Sequence, residues 1–215
     1  MSEAAGDIEA TIACHRREPA ANPPIRLLGD IACPWTYLAL HALEHAFGDA
    51  LRLEWHPFLL NLGDLARQRR RLADPVGHYA ARLGVPFAPV SLAQPVDARL
   101  VHAVLLAAGA EGRVGDAARA VFAARFAAGG ALTTTDEVKA ALGEHVGDAA
   151  AERWCAAGEV HLPVVERAAR AARLAGVSEI PLAVVDNAFV IGGLQPPEAY
   201  RALVELVDVR DHAGR

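Results

Sequence analysis

From Ile25 onward the chain alternates short apolar runs with longer stretches in which apolar residues recur every three or four positions. IRLLGD, Ile25 to Asp30, is a short apolar run closed by a turn signal, and it predicts a buried strand. A helix is predicted from Pro34, because proline in the first helical turn forfeits no hydrogen bond. Trp35, Leu38, Ala39, Ala42, Leu43, Ala46 and Phe47 then form one apolar stripe, and Gly48 ends it. The alternating, aromatic LRLEWHPFLL that follows reads as a second strand. Two strands joined by a helix-length crossover imply a parallel, right-handed βαβ unit.

The middle of the chain has a different period. ARLVHAVLLAAGA, DAARAVFAARFAAG and TTTDEVKAALGEH all repeat at helical spacing and end in glycine or a polar turn, and Asp136 or a neighbouring threonine is placed to cap the third. Its many alanines reflect helix propensity and not low complexity. After it, IPLAVVDNAFVIGG holds two apolar runs about Asp186-Asn187, a predicted β-hairpin whose turn tolerates positive φ. QPPEAYRALVELV predicts a closing helix. The resulting division is an α/β domain made of residues 24–60 and 176–212, an inserted helical subdomain over 61–175, and a loose, proline-broken tail over 1–23.

At 215 residues the chain buries a full core without covalent staples. A net charge of -5 and a pI near 6.0 provide no basic footprint, so nucleic acid is not an expected partner. The absence of a long apolar run or a leader-like start leads us to expect no membrane association and a cytoplasmic protein. Cys14, Cys33 and Cys155 are widely spaced and follow no metal-ligand pattern.

Cys33 carries the candidate chemistry. In DIACPWTYLAL it stands just before a helix, where unpaired N–H groups and the helix dipole favour a thiolate. Three residues on, where a second cysteine would complete Cys-x-x-Cys, stands Thr36, which can donate a hydrogen bond but cannot form a disulfide. Dithiol exchange requires a resolving thiolate, and neither Trp35 nor Thr36 supplies one. What remains is resolution by a small thiol, resolution by Cys14 or Cys155, or a buried and unreactive Cys33.

Other signals have plainer readings. His41-Ala-Leu-Glu44-His45 matches an inverted zinc-binding motif, but both histidines fall off the apolar stripe and no third ligand is signalled, so no metal is expected. Arg67, Arg69, Arg70 and Arg71 read as a solvated helix face, or else as an anion handle at the mouth of a cleft. Trp154-Cys155 reads as core.

DIACPWTYLAL, HPFLLN, YAARLGVPF, GVSEIPLAVVD and GGLQPPEAY together resemble the DsbA-like family, which includes FrnE-type oxidoreductases, 2-hydroxychromene-2-carboxylate isomerases and kappa-class glutathione transferases. The resemblance extends over nearly everything from Ile25 and implies a thioredoxin fold with a large α-helical insertion. It also implies a cis bond at Ile180-Pro181 facing the active cysteine, with trans proline opening an edge strand as the other reading. On this resemblance the catalytic residues are Cys33 and Thr36, and the substrate-facing ones are Pro34, Trp35, Ile180 and Pro181. Glutathione-using relatives carry Gly-Ser-Asp-Arg where this chain has Gly192, Gly193, Leu194 and Gln195, and Leu194 cannot hold an ammonium group. GGLQPPEAY is instead similar to the FrnE-type pattern, while HPFLLN and YAARLGVPFAP are similar to the isomerase insertion.

Three functions follow as expectations. The first is a thiol oxidoreductase using Cys33 alone, with no tightly bound cofactor and with glutathione or another small thiol as co-substrate. The second is a thiol- or glutathione-assisted isomerase or transferase acting on a small organic molecule, and the third is a non-catalytic scaffold. A homodimer is compatible with all three.

Overall fold

The computed structural model describes residues 23–187 and 189–213, and the side chains of all of these except 62–70 and 208–213. The expected tail up to residue 22, with Cys14, and the side chains of Arg67, Arg69 and Arg70 lie outside the described residues. Among the described residues no helix is long and apolar enough to cross a membrane.

Strands β1 (Ile25–Gly29), β2 (Leu53–Pro57), β3 (Leu182–Val185) and β4 (Phe189–Gly192) form one mixed sheet in the order β2-β1-β3-β4. β1 pairs parallel with β2, as the intervening helix α1 (Pro34–Phe47) requires, because parallel neighbours need a crossover. β3 runs antiparallel to both β1 and β4. Asp186 and Asn187 turn the hairpin with φ of 50° and 52°, the two positive values that a two-residue turn of this hand demands. Arg26 Nη1 donates to Asn187 Oδ1 at 2.7 Å and ties the turn to β1.

The helical insertion consists of α2 (Leu62–Leu83), α3 (Ala98–Ala110), α4 (Val114–Phe122), α5 (Thr135–Val146) and α6 (Asp148–Leu174), and α7 (Pro197–Ala213) closes the chain. α5 is capped by Thr134, whose hydroxyl accepts from Glu137 N while Glu137 reaches back to the cap. The helix expected over DAARAVFAARFAAG is interrupted after Phe122 by a wider π-type turn, Ala123–Ala127. That turn carries the buried Arg125, which donates to the carbonyls of Gln94 and Pro95 and lies over the Phe126 ring.

α1 is buried more widely than its expected stripe. Tyr37 and Leu40 are fully enclosed, whereas Trp35, Ala46 and Phe47 are only partly buried. The physical reason is a second partner: the insertion packs on α1 as well as on β2, with Phe122 against both Tyr37 and Trp55. Tyr37 stacks on Phe126 with centroids 5.3 Å apart, and its hydroxyl donates to Pro86 O at 2.6 Å.

Candidate functional site

At the carboxyl end of β1 the chain turns sharply into α1, and Asp30 builds the turn. Its carboxylate accepts from Ala32 N at 2.8 Å and from Leu60 N at 2.6 Å, while Cys33 N donates to its backbone carbonyl at 3.0 Å. The loop before α1 and the segment after β2 are therefore held by one fully buried side chain. Cys33 occupies the cap position of α1, but its side chain makes no capping bond. Its carbonyl accepts from Thr36 N and Tyr37 N at 3.1 and 3.3 Å.

The thiol does not have the environment expected of a helix start. Cys33 is 4% exposed, and burial pushes its pKa up, with the nearby Asp30 carboxylate adding to the rise. The Thr36 hydroxyl and the backbone N–H groups of Thr36 and Trp35 pull in the other direction and do not prevail. This corrects the expectation of a favoured thiolate: loss of water outweighs the N–H groups and dipole of the helix. Thr36 Oγ1 is itself buried without an ordinary hydrogen-bond partner, so the sulfur is the group it serves electrostatically. Thr36 is seated by Gly29, where a β-carbon would stand 2.2 Å from Thr36 Cγ2 and 3.2 Å from the Trp55 ring.

The Ile180–Pro181 bond is cis. Pro181 immediately precedes β3, whose first residue Leu182 pairs with Leu28, so the cis bond lies at the end of the sheet where β1 turns into α1. Pro181 O accepts from Gly193 N at 2.8 Å, which draws the loop after β4 to the same end of the sheet. Pro34 is buried beneath the turn, whereas Trp35 meets the Tyr79 ring edge-on at 5.7 Å. Beyond Tyr79 opens a groove of about 420 Å³ between α2 and the start of α7, lined by Arg82, Leu83, Leu194, Gln195 and Pro196 among others.

The fold also gathers residues that the sequence reading left unassigned. His102 of α3 is fully buried; its Nδ1 accepts from Trp55 Nε1 at 2.9 Å, and its Nε2 donates to Phe58 O at 3.1 Å. Both ring nitrogens are thus used by a neutral imidazole, whose pKa burial lowers. A signal for it existed, since His102 is the one polar interruption in the apolar centre of ARLVHAVLLAAGA.

Other candidates lie elsewhere. Cys155 is a buried free thiol on α6 near Glu152, Lys139 and Asp136, in surroundings that share no residue with those of Cys33. His41 Nδ1 is 3.2 Å from Glu44 Oε2, and Glu44 also meets Arg119 of α4, so this motif ties α1 to the insertion. Arg71 is exposed on α2.

The family model described as DSBA-like thioredoxin domain matches residues 25–204. The fold is similar to that of a probable DsbA oxidoreductase from Streptomyces coelicolor, with a TM-score of 0.67, 19% identity, and coverage of 85% of this chain and 88% of that one. It is also similar to the cytosolic disulfide reductase DsbM from Pseudomonas aeruginosa, with a TM-score of 0.65, 20% identity and coverage of 87% and 98%. A 2-hydroxychromene-2-carboxylate isomerase aligns with a TM-score of 0.64 at 17% identity, covering 88% and 98%. A sequence search of curated proteins found no match.

Proposed function

Because this chain belongs to the DsbA-like thioredoxin-domain family, which holds both oxidoreductases and isomerases, we propose that it is a thiol oxidoreductase working through Cys33 alone. The observation that carries this reading is the pairing of Cys33 with Thr36: the active-helix cysteine is retained at the sheet end that also holds Pro181, while an oxygen stands where a resolving sulfur would be. In the proposed cycle the Cys33 thiolate attacks a disulfide, forming one S–S bond and expelling one thiolate. A small thiol, glutathione or one of similar size, then attacks the Cys33 sulfur of the mixed disulfide and expels the second substrate thiolate, and a second small thiol attacks the resulting Cys33–small-thiol disulfide, leaving as the small-thiol disulfide and returning Cys33 to the reduced state. One disulfide is reduced and two equivalents of the small thiol are oxidised. A structure of DsbM from Pseudomonas aeruginosa with GSH belongs to the same fold group, which supports a small-thiol co-substrate here.

Burial keeps Cys33 protonated at rest, so the attack is expected to be slow at neutral pH and to accelerate in alkali. Intact mass after incubation with oxidised glutathione tests the reading. Addition of one glutathionyl group, absent from Cys33→Ser and removed by reduced glutathione, is the expected result. Cys33→Ser should keep its fold, since the cysteine side chain makes no capping bond and serine caps well. No adduct at alkaline pH would sink the proposal.

A second reading rests on the groove beside Trp35. A space of about 420 Å³ with Tyr79, Leu83, Leu194 and Pro196 as walls and Arg82 and Glu198 as charges suits a small, partly apolar organic molecule better than an extended peptide. This supports a thiol-assisted isomerase or transferase, and turnover of such a molecule without net thiol oxidation would favour it over the first.

A further inference from the structure

Away from Cys33 the insertion forms a second cavity, of about 570 Å³, lined by the other free thiol of the described residues, Cys155. The sequence builds it at the starts of two helices. Val96 bridges to Leu132, and Asp97 N donates to Leu132 O at 2.8 Å, which sets the first turns of α3 and α5 side by side. α6 closes the third side: Glu152, Cys155, Glu159 and Leu162 follow at steps of three and four, so one side of that helix faces the cavity. Cys155 is only 6% exposed, and its thiol makes no hydrogen bond among the described residues. Leu100 and Leu162 add apolar surface to the same lining.

The rim above the thiol is acidic. Asp97, Asp136, Glu152 and Glu159, all exposed, line the cavity against two cations, Arg99 and Lys139. Lys139 is paired with Glu152, and Arg99 with Glu166, which stands outside the lining. Asp136 and Glu159 make no ion pair among the described residues, and Asp97 accepts from the backbone N–H of Leu100. Such a rim attracts a cation and repels an anion. Among the described residues no group of three or more His, Cys, Asp or Glu side chains is arranged to hold a metal ion, so the cation that fits is organic. A buried, unpartnered sulfur beneath an acidic rim matches a ligand with a sulfur at one end and an ammonium group at the other.

We infer that Cys155 is a second thiol-modification site, which takes small cationic aminothiols from their disulfides. The Cys155 thiolate attacks one sulfur of the disulfide, a new S–S bond forms at Cys155, and the other half leaves as a thiolate that picks up the proton Cys155 released. The disulfide is itself the oxidant. Burial pushes the Cys155 thiol up, and Glu152 and Asp136 add to the rise against Lys139. An ammonium group seated at the rim offsets those two carboxylates and so promotes ionisation of the thiol, which a neutral or anionic disulfide does not. The inference is independent of the reading of Cys33, with whose surroundings this cavity shares no residue.

Labelling of the full chain carrying Cys33→Ser tests it, with adducts located by intact mass and peptide mapping. Cystamine, the neutral hydroxyethyl disulfide and oxidised glutathione are compared, each rate being divided by that of the same reagent with a short neutral cysteine peptide. Cystamine should add one aminothiol to Cys155 roughly tenfold faster than the neutral reagent, with glutathione slowest, and added salt should shrink the difference. Asp136→Asn combined with Glu159→Gln should remove most of the preference and leave the circular dichroism spectrum unchanged, since both side chains are exposed. No adduct at Cys155, equal corrected rates for the cationic and neutral reagents, or a preference that survives the double variant overturns the inference.

Discussion

Nε2 of His102 lies 3.8 Å from Oδ1 of Asp30, and the two do not form an ion pair. The imidazole spends Nε2–H on Phe58 O and Nδ1 on the Trp55 indole, and the carboxylate is filled by Ala32 N and Leu60 N. Each side chain is satisfied by backbone and indole groups, so a helix of the insertion and a turn of the sheet domain are joined through hydrogen bonds to neutral partners. The arrangement holds the segment after β2 against the turn that carries Cys33.

Removing His102 tests that joint. His102→Leu leaves the Trp55 N–H without an acceptor and the Phe58 carbonyl without a donor, each costing about 1–3 kcal/mol when buried. The loss should appear as a lower denaturant midpoint. A variant as stable as the parent would show that the joint contributes nothing.

The same residue sets a pH dependence. Burial lowers the pKa of His102 in the folded chain from its ordinary value of 6.5, so the unfolded chain binds the proton more readily. Stability from this group is complete above about pH 6.5 and is lost as the pH falls below it, by at most about 1.4 kcal/mol per pH unit. His56, also lowered chiefly by burial, adds in the same direction. Chemical unfolding between neutral and mildly acid pH should show the slope, and it should be shallower in His102→Leu. An equal slope in the two proteins would assign the effect elsewhere.

Asp30→Asn should speed alkylation of Cys33. Removing the negative charge beside the sulfur takes away one cause of the raised pKa, and the thiolate fraction at neutral pH increases. The amide oxygen can still accept from one of the two N–H groups, so a stability loss of about 1 kcal/mol accompanies the change. Iodoacetamide kinetics followed by mass should show the parent slower than a free cysteine and the variant faster than the parent. A variant slower than the parent would mean that Asp30 aids the thiolate.

These residues also separate what the sequence disclosed from what it hid. The βαβ unit and the hairpin were legible because strand alternation, helical spacing and the Asp186-Asn187 turn are local properties of a few neighbouring residues. The burial of Tyr37 and Leu40 was hidden, since it depends on an insertion that packs on α1 from residues far along the chain. Cys33 was found by its place before a helix, yet the direction of its pKa depends on water being excluded from that place. The contacts of His102 join residues 47 and 44 positions apart, beyond the reach of any spacing argument.

Gly29→Ala probes the seating of Thr36. The new methyl would stand 2.2 Å from Thr36 Cγ2, so the first turn of α1 must move, at a cost of about 1–3 kcal/mol. Thr36→Ser removes that Cγ2, and the double variant should recover most of the loss. Additive losses in the double-mutant cycle would show that the two side chains do not compete for space.

Thr36→Cys asks whether the site still handles disulfides. The replacement sets a thiol three residues after Cys33, on the same turn of α1, where Thr36 N already donates to Cys33 O at 3.1 Å. It gives up no hydrogen bond of ordinary geometry, because Thr36 Oγ1 has none, and a sulfur occupies nearly the volume of the groups it replaces. With a resolving thiolate in place, a mixed disulfide at Cys33 is released within the protein, and the rate no longer depends on an external thiol for that step. Insulin reduction driven by a small thiol should therefore rise above the parent, and the gain should vanish in Thr36→Cys combined with Cys33→Ser. Mass analysis of the oxidised single variant should show the loss of two hydrogens for the new disulfide. If that disulfide forms but insulin reduction does not rise, the groove beside Trp35 excludes protein disulfides, and small-molecule chemistry is the function to pursue.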